Sequence, residues 1–402
     1  CLLSRGLGDV YKRQRRYSKA KMSWGKDAMN GINHVQRLYS MEGATHLYSS
    51  DPAMLTPADL YTVKHEPAHL AALENCNIYL IVRRPRILLQ PERFTLNGRR
   101  VAGNFLVHRA HGPVTVPFEY DIPQSCIPAN VPIVDVAIAA NGVAMVAITP
   151  HGQQMVAVSV VIASSTHALT DADTAMEVLY VGQGIGRTRA RTALDRLQCH
   201  STLQRILADT LTNFYEREVL LLLYRFEHGR TIVSNGGDFN VSFHADDEAD
   251  SAHFKRLQNV RLKRHEVVSL AEAGLINYFK PYYNSLLKTT SFSAKNKLKV
   301  LKQLLSKGPT GLIVELSTVN LRSRIGTSYA VPVDLAKRYA PDVLDGRNIP
   351  DLETRELWHE ELRRVAHTHF AKFALTTAQE RESFMHGTVF LKDSEGDKFE
   401  VC

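Results

Sequence analysis

The feature that most limits the fold is a train of short apolar runs between residues 77 and 163: NIYLIV, RPRILLQ, AGNFLVHRA, VTVPFEY, VPIVDVAIAA, VAMVAIT and MVAVSVVIAS. Runs of this length, broken at Asn97-Gly98, at Asn141-Gly142 and by several prolines, predict antiparallel strands packed as a sandwich or barrel. The last run extends that expectation to a strand over residues 154–163. Beyond it the pattern turns mixed. A strand over 178–182, a Gly/Arg loop and a helical stretch over 190–213 come first. A strand over 218–226 with a partner over 230–234 follows, then a helix over 267–278 that Pro281 stops. A Lys-rich helix over 294–306, a strand over 311–316 and a long charged helix over 352–373 complete the pattern. The chain therefore reads as α+β. A lead of residues 1–21 precedes a β-rich N-terminal domain (22–153), a small mixed sheet flanked by helices (154–290) and a C-terminal α/β extension (291–402). Residues 1–14 (CLLSRGLGDVYKRQ) resemble translated sequencing adapter, of the kind met on metagenomic reading frames, and carry no fold argument.

Charge matters here through its distribution. The formal net charge is +8, but residues 1–21 alone hold seven Lys/Arg against one Asp. More telling is the segment 255–307, with twelve Lys/Arg against Glu266 and Glu272. Such a concentration is the electrostatic footprint expected for a phosphate backbone, although any one lysine in it can equally be a solvated helix position. Cys1, Cys76, Cys126, Cys199 and Cys402 are scattered, without a Cys-x-x-Cys pair, so neither a disulfide framework nor a zinc ribbon is expected. No run approaches the roughly 20 apolar residues of a membrane span, and the expected setting is cytoplasmic. The oligomeric state is left open.

Two short segments carry chemistry. Tyr180-Val181-Gly182 ends a strand, and a basic loop (Arg187, Arg189, Arg191) and then Arg196 and His200 follow it. Four apart on a helix, Arg196 and His200 would face the same way. Glu272 lies on the polar side of a later helix that ends Lys280-Pro281-x-x-Asn284. Phosphodiester hydrolysis needs a group to activate water, a carboxylate for a divalent metal and a cation against the phosphate charge. Tyr180, His200, Glu272 and Arg196 are residues of those types.

In this order and on these elements the motifs resemble the GIY-YIG nuclease superfamily, over about a third of the chain. The resemblance implies an endonuclease that hydrolyses nucleic acid, DNA first, with one Mg2+ or Mn2+. Tyr180, Arg196, His200 and Glu272 would be catalytic, with Glu272 the metal ligand. Arg187, Arg189, Arg191, Lys280 and Asn284 would serve substrate binding, with Asn284 bracing the active-site end. The strand expected ahead of Tyr180, residues 158–163, has no tyrosine where the family's first motif places one. Tyr180 is accordingly expected to supply the hydroxyl nearest the attacking water, with its pKa lowered by the metal and arginines.

Other readings stay open. An inactive nuclease-like module would bind nucleic acid without cutting it. Gly182-x-Gly184-x-Gly186 invites a dinucleotide loop, but the spacing lacks the extra residue and the loop is full of arginine. His359-Glu360 with His367 does not form a two-ligand zinc face, because the histidines lie eight positions apart. Taken singly, Tyr-Val-Gly can be packing and Glu272 a solvated helix residue.

Overall fold

The computed structural model describes residues 38–92, 94–184, 192–234, 243–285 and 299–375. The chain is α+β. Its centre is one helix between two sheets, and a β-rich insertion interrupts one of those sheets.

The first sheet joins distant parts of the chain. Strand β1 (Glu42–Ser49) pairs antiparallel with β14 (Phe226–Ser234) and parallel with β15 (Gly311–Ser317), and β17 (Thr368–Ala374) closes the far edge. The second sheet has β3 (Ile78–Pro85) at its middle, between β12 (Met176–Gln183) and β13 (Arg217–Tyr224), all antiparallel. Short strands β2 (Ala53–Leu55) and β16 (Ile325–Gly326) form its edges. Between the sheets lies the helix Arg264–Phe279, with Val268, Leu270, Ala271, Leu275 and Phe279 all buried. A helix apolar on every side must be covered on every side. Leu80, Val82, Val181 and Leu222 cover it from the second sheet and Leu47, Leu312 and Val314 from the first. Strand β3 is apolar on both faces for the same reason: Tyr79 and Ile81 point away from that helix, into a second core with Leu197, Leu203 and Ile206. Those last three belong to the helices Ala193–Gln198 and Ser201–Asn213.

The insertion occupies the chain between β3 and β12. Strands β4 (Ile87–Leu89) to β11 (Thr166–His167) pair antiparallel throughout, with β4, β5 (Thr95–Asn97) and β7 (Gly112–Asp121) all paired to β6 (Arg100–Arg109) and β11 paired to β7. Strands β8 (Asp135–Ile138), β9 (Ala144–Thr149) and β10 (Gly152–Ala157) form a separate sheet. Phe105, Phe118 and Tyr120 of one sheet and Val136, Met145 and Val156 of the other share one core. The expected β-rich architecture is there, and Gly98 and Gly142 sit at turn positions with positive φ, +63 and +69, that favour glycine.

Four expectations change. Residues 158–164 form a helix, not a strand: Val158, Val161 and Ile162 are spaced to cover the insertion core. The expected boundary at residue 153 is crossed by strand pairing, because β3 lies before it and is the centre of a sheet with β12 and β13. Strands β13 and β14, consecutive in sequence, separate into different sheets instead of pairing. The charged helix stops at Ala366, and residues 368–374 continue as strand β17. The segment 294–298 lies outside the described residues; the Lys-rich helix is described from Lys299 to Ser306. No helix among the described residues is long and apolar enough to cross a membrane.

Candidate active site

Tyr180 ends up beside a residue the sequence reading did not single out. Its strand pairs with β3, Tyr180 opposite Ile81 and Gly182 opposite Tyr79. The Tyr79 and Tyr180 rings stack with centroids 6.2 Å apart. The absence of a tyrosine from the neighbouring strand is therefore corrected: the neighbour is β3, not residues 158–163, and Tyr79 stands on it, in Asn77-Ile78-Tyr79. Gly182 makes this possible. A Cβ there would lie 2.5 Å from the Tyr79 Cζ and hydroxyl oxygen and 2.7 Å from the Tyr180 ring.

Arg196 and His200 arrive by a different local route from the one expected. The first helix opens with a capping box, in which the Thr192 side chain accepts from the Asp195 N–H and Asp195 accepts from Thr192, and it ends at Gln198. His200 is the N-cap of the next helix, in extended conformation, so the two residues do not share a helix. They still converge. The His200 ring lies 5.0 Å from the Tyr180 ring and edge-on to Tyr79 at 5.8 Å, with Nε2 3.4 Å from the Tyr79 hydroxyl. Arg196, exposed to solvent, donates to the Tyr79 hydroxyl oxygen.

Glu272 enters from the buried helix at the end of β12, where its carboxylate accepts from the Gln183 backbone N–H and faces Arg196. Burial raises its pKa to about 7, against Arg196 and the Gln183 N–H, which favour the carboxylate. Burial also raises Tyr79 and Tyr180, Tyr180 further through the Glu272 charge, while Arg196 and the Tyr79 hydrogen bond oppose it. The chain's own groups thus raise the Tyr180 pKa where a lowering was expected, because desolvation outweighs one guanidinium. His200 is pushed down by burial and by Arg196, so it is neutral at pH 7. Its Nδ1 is buried and makes no hydrogen bond among the described residues. The cluster thus holds two protonated phenols, a neutral imidazole able to take a proton, an accessible guanidinium and a carboxylate.

Asn284 is buried and pairs with the backbone of one residue: its Oδ1 accepts from the Val181 N–H and its Nδ2 donates to the Val181 carbonyl, both at 2.9 Å. That holds the open edge of β12 between Tyr180 and Gly182. The segment reaches the edge because Lys280, in left-handed conformation (φ +47), ends the helix ahead of Pro281. Lys280 lies over the Tyr329 ring at 5.0 Å. Arg187, Arg189 and Arg191 lie outside the described residues.

Among the described residues no group of three or more His, Cys, Asp or Glu could enclose an ion, so a zinc-type cage does not fit. A hard divalent cation that keeps most of its waters and takes one carboxylate fits Glu272, which stands beside polar groups. His359, Glu360 and His367, at the other end of the chain, belong to none of this geometry. No protein-family model matches the chain, and neither does any curated protein or solved structure.

Proposed function

We propose that the chain is a GIY-YIG-type endonuclease that hydrolyses phosphodiester bonds of nucleic acid, DNA first, with a single Mg2+ or Mn2+ at Glu272. The observation that supports this reading is the meeting of Tyr79, Tyr180, Arg196, His200 and Glu272, from four separate chain segments, at one end of the second sheet. Structural packing would not require a half-buried carboxylate with a pKa near 7 beside an exposed guanidinium. Perturbed groups of complementary type in one place mark a reactive site.

In this reading Arg196 forms paired hydrogen bonds to the scissile phosphate and stabilises the charge that builds during attack. The Tyr79 hydroxyl is fixed between Arg196, Tyr180 and His200, so a proton taken from the attacking water can pass along phenol and imidazole without either side chain moving. His200, neutral at rest, accepts the proton at the end of that path. A magnesium ion on Glu272 would supply Lewis-acid polarisation of the phosphate oxygens.

The test compares Glu272→Gln and Tyr79→Phe with the parent in single-turnover cleavage of DNA. Both variants should lose cleavage by about a hundredfold or more while binding is kept, and excess chelator should stop the parent. Full cleavage by Glu272→Gln, or in chelator, would sink the assignment. A parent that binds nucleic acid yet never cuts it with Mg2+ or Mn2+ is instead the inactive binding module.

A further inference from the structure

Away from the tyrosine cluster, a cleft of about 720 Å³ opens between β14 and the segment that leads into the central helix, lined among others by Glu227, His228, Arg230, Thr231, Arg261 and Arg264. Its chemistry is lopsided. Arg230 and Arg261 are exposed and neither forms an ion pair with a described residue, whereas the cleft's one carboxylate, Glu227, is engaged by Arg225 at 3.4 Å and Arg264 at 3.6 Å. His228 feels Arg261 and Lys307 as positive neighbours, and its Nε2 is buried without a hydrogen bond. Two guanidiniums that line one cleft, neither paired with a carboxylate among the described residues, match the oxygens of a phosphate diester.

The cleft is joined to the candidate site. Arg264 donates to the Asn75 carbonyl and to Asn77 Oδ1, and the Asn77 carbonyl accepts from the Gly184 N–H. These residues lie just ahead of Tyr79 and just beyond Gly182. Arg264 and Glu272 ride on one helix, eight residues apart, which is about 12 Å along its axis.

We propose that this cleft binds a backbone phosphate of the nucleic acid to one side of the scissile bond, with Arg230 and Arg261 as its ligands. The inference rests on the nuclease reading for its polymer, but uses none of the residues assigned to cleavage. It extends the substrate path onto the first sheet and makes the enzyme measure a minimum length of DNA on one side of the cut.

The full-length parent, Arg230→Ala/Arg261→Ala and Arg230→Lys/Arg261→Lys are compared by anisotropy on a labelled DNA duplex of about 30 base pairs across a salt series. The slope of log affinity against log salt should fall by about 1 to 2 in the alanine variant and recover in the lysine variant, with the single-turnover rate at saturating DNA unchanged. A parent-like slope in the alanine variant overturns the cleft assignment, and Glu272-dependent cutting by the same preparation would leave the nuclease reading standing. The alternative source is separated by inorganic phosphate. If phosphate raises the melting temperature of the parent but not of the alanine variant, while the parent neither binds nor cuts DNA, the cleft holds a small anion and both the polymer assignment and the nuclease reading fail.

Discussion

Glu272 is asked for two opposite things. Its helix is buried between sheets, which favours the neutral acid, yet a metal ligand must be ionised. The folded pKa of about 7 lies above the ordinary 4.5, so the native state binds the proton more tightly than the unfolded chain does. The stability tied to that proton is complete below pH 4.5 and is lost as pH rises through 7. Glu272→Gln removes the ionisation. In chelator at pH 8 the variant should therefore be more stable than the parent by about 1 to 3 kcal/mol, the gap closing as the pH approaches 5. Thermal or urea unfolding at the two pH values measures it, and a gap independent of pH would mean that the carboxylate is not strained by burial. Cleavage should follow the other branch of the same titration, rising with pH through about 7 as the carboxylate becomes available to the metal.

At the scale of elements, the end of β12 that carries Tyr180 is fixed by two small features, one on each side. On one side, Gly182 leaves the space that the Tyr79 ring fills. On the other, Asn284 pairs with both the N–H and the carbonyl of Val181. Gly182→Ala forces a methyl against two packed rings and should cost about 1 to 3 kcal/mol, with a cleavage loss larger than that stability loss accounts for. Asn284→Ala leaves a buried N–H and C=O unpaired, at a similar cost of about 1 to 3 kcal/mol, but the rings stay in place and their near-ultraviolet circular dichroism should be kept. If Gly182→Ala retains both the aromatic signal and the rate, the two tyrosines do not depend on close packing. These elements were readable in the sequence to different depths. The strand of Tyr180 and the helix of Glu272 with its Lys280-Pro281 stop lie within local patterns, whereas the bracing role of Asn284 was only implied by the family resemblance. Tyr79 does not: it meets His200 from 121 positions away, and the nearest preceding apolar run, residues 158–163, looked like the natural strand partner. That run is rich in β-branched residues, which favour a strand, yet its i, i+3, i+4 spacing faces the insertion core and the helix wins. The break before His200 had no Gly or Pro to announce it.

The whole molecule places the insertion between the two strands that carry the tyrosines, so the β-rich part is not a domain hung on the front of the chain. Its core, from Ile87 to Ile162, shares no residue with the two cores around the second sheet. Its entry and exit are side by side, since Arg83 is paired with Glu177 and their side chains bond at 2.6 Å. Two strands joined at adjacent ends need only a short turn. We therefore predict that replacing residues 86–174 by Asn-Gly leaves a folded unit with β3 and β12 as a hairpin. The Arg109–Asp173 ion pair leaves whole with the insertion, and the loss of the Arg324–Asp171 pair is a surface change, because Asp171 is exposed. The shortened chain should unfold in one cooperative transition and retain Tyr79 beside Tyr180, measured as the near-ultraviolet aromatic signal that Gly182→Ala removes. If the insertion only selects substrate, the shortened chain should cut DNA within about tenfold of the parent rate at saturation while its preference among sequences or structures changes. A shortened chain that folds but is inactive on every substrate the parent cuts would show that the insertion positions the tyrosines as well. A chain that fails to fold would show that the separate cores do not support one another independently.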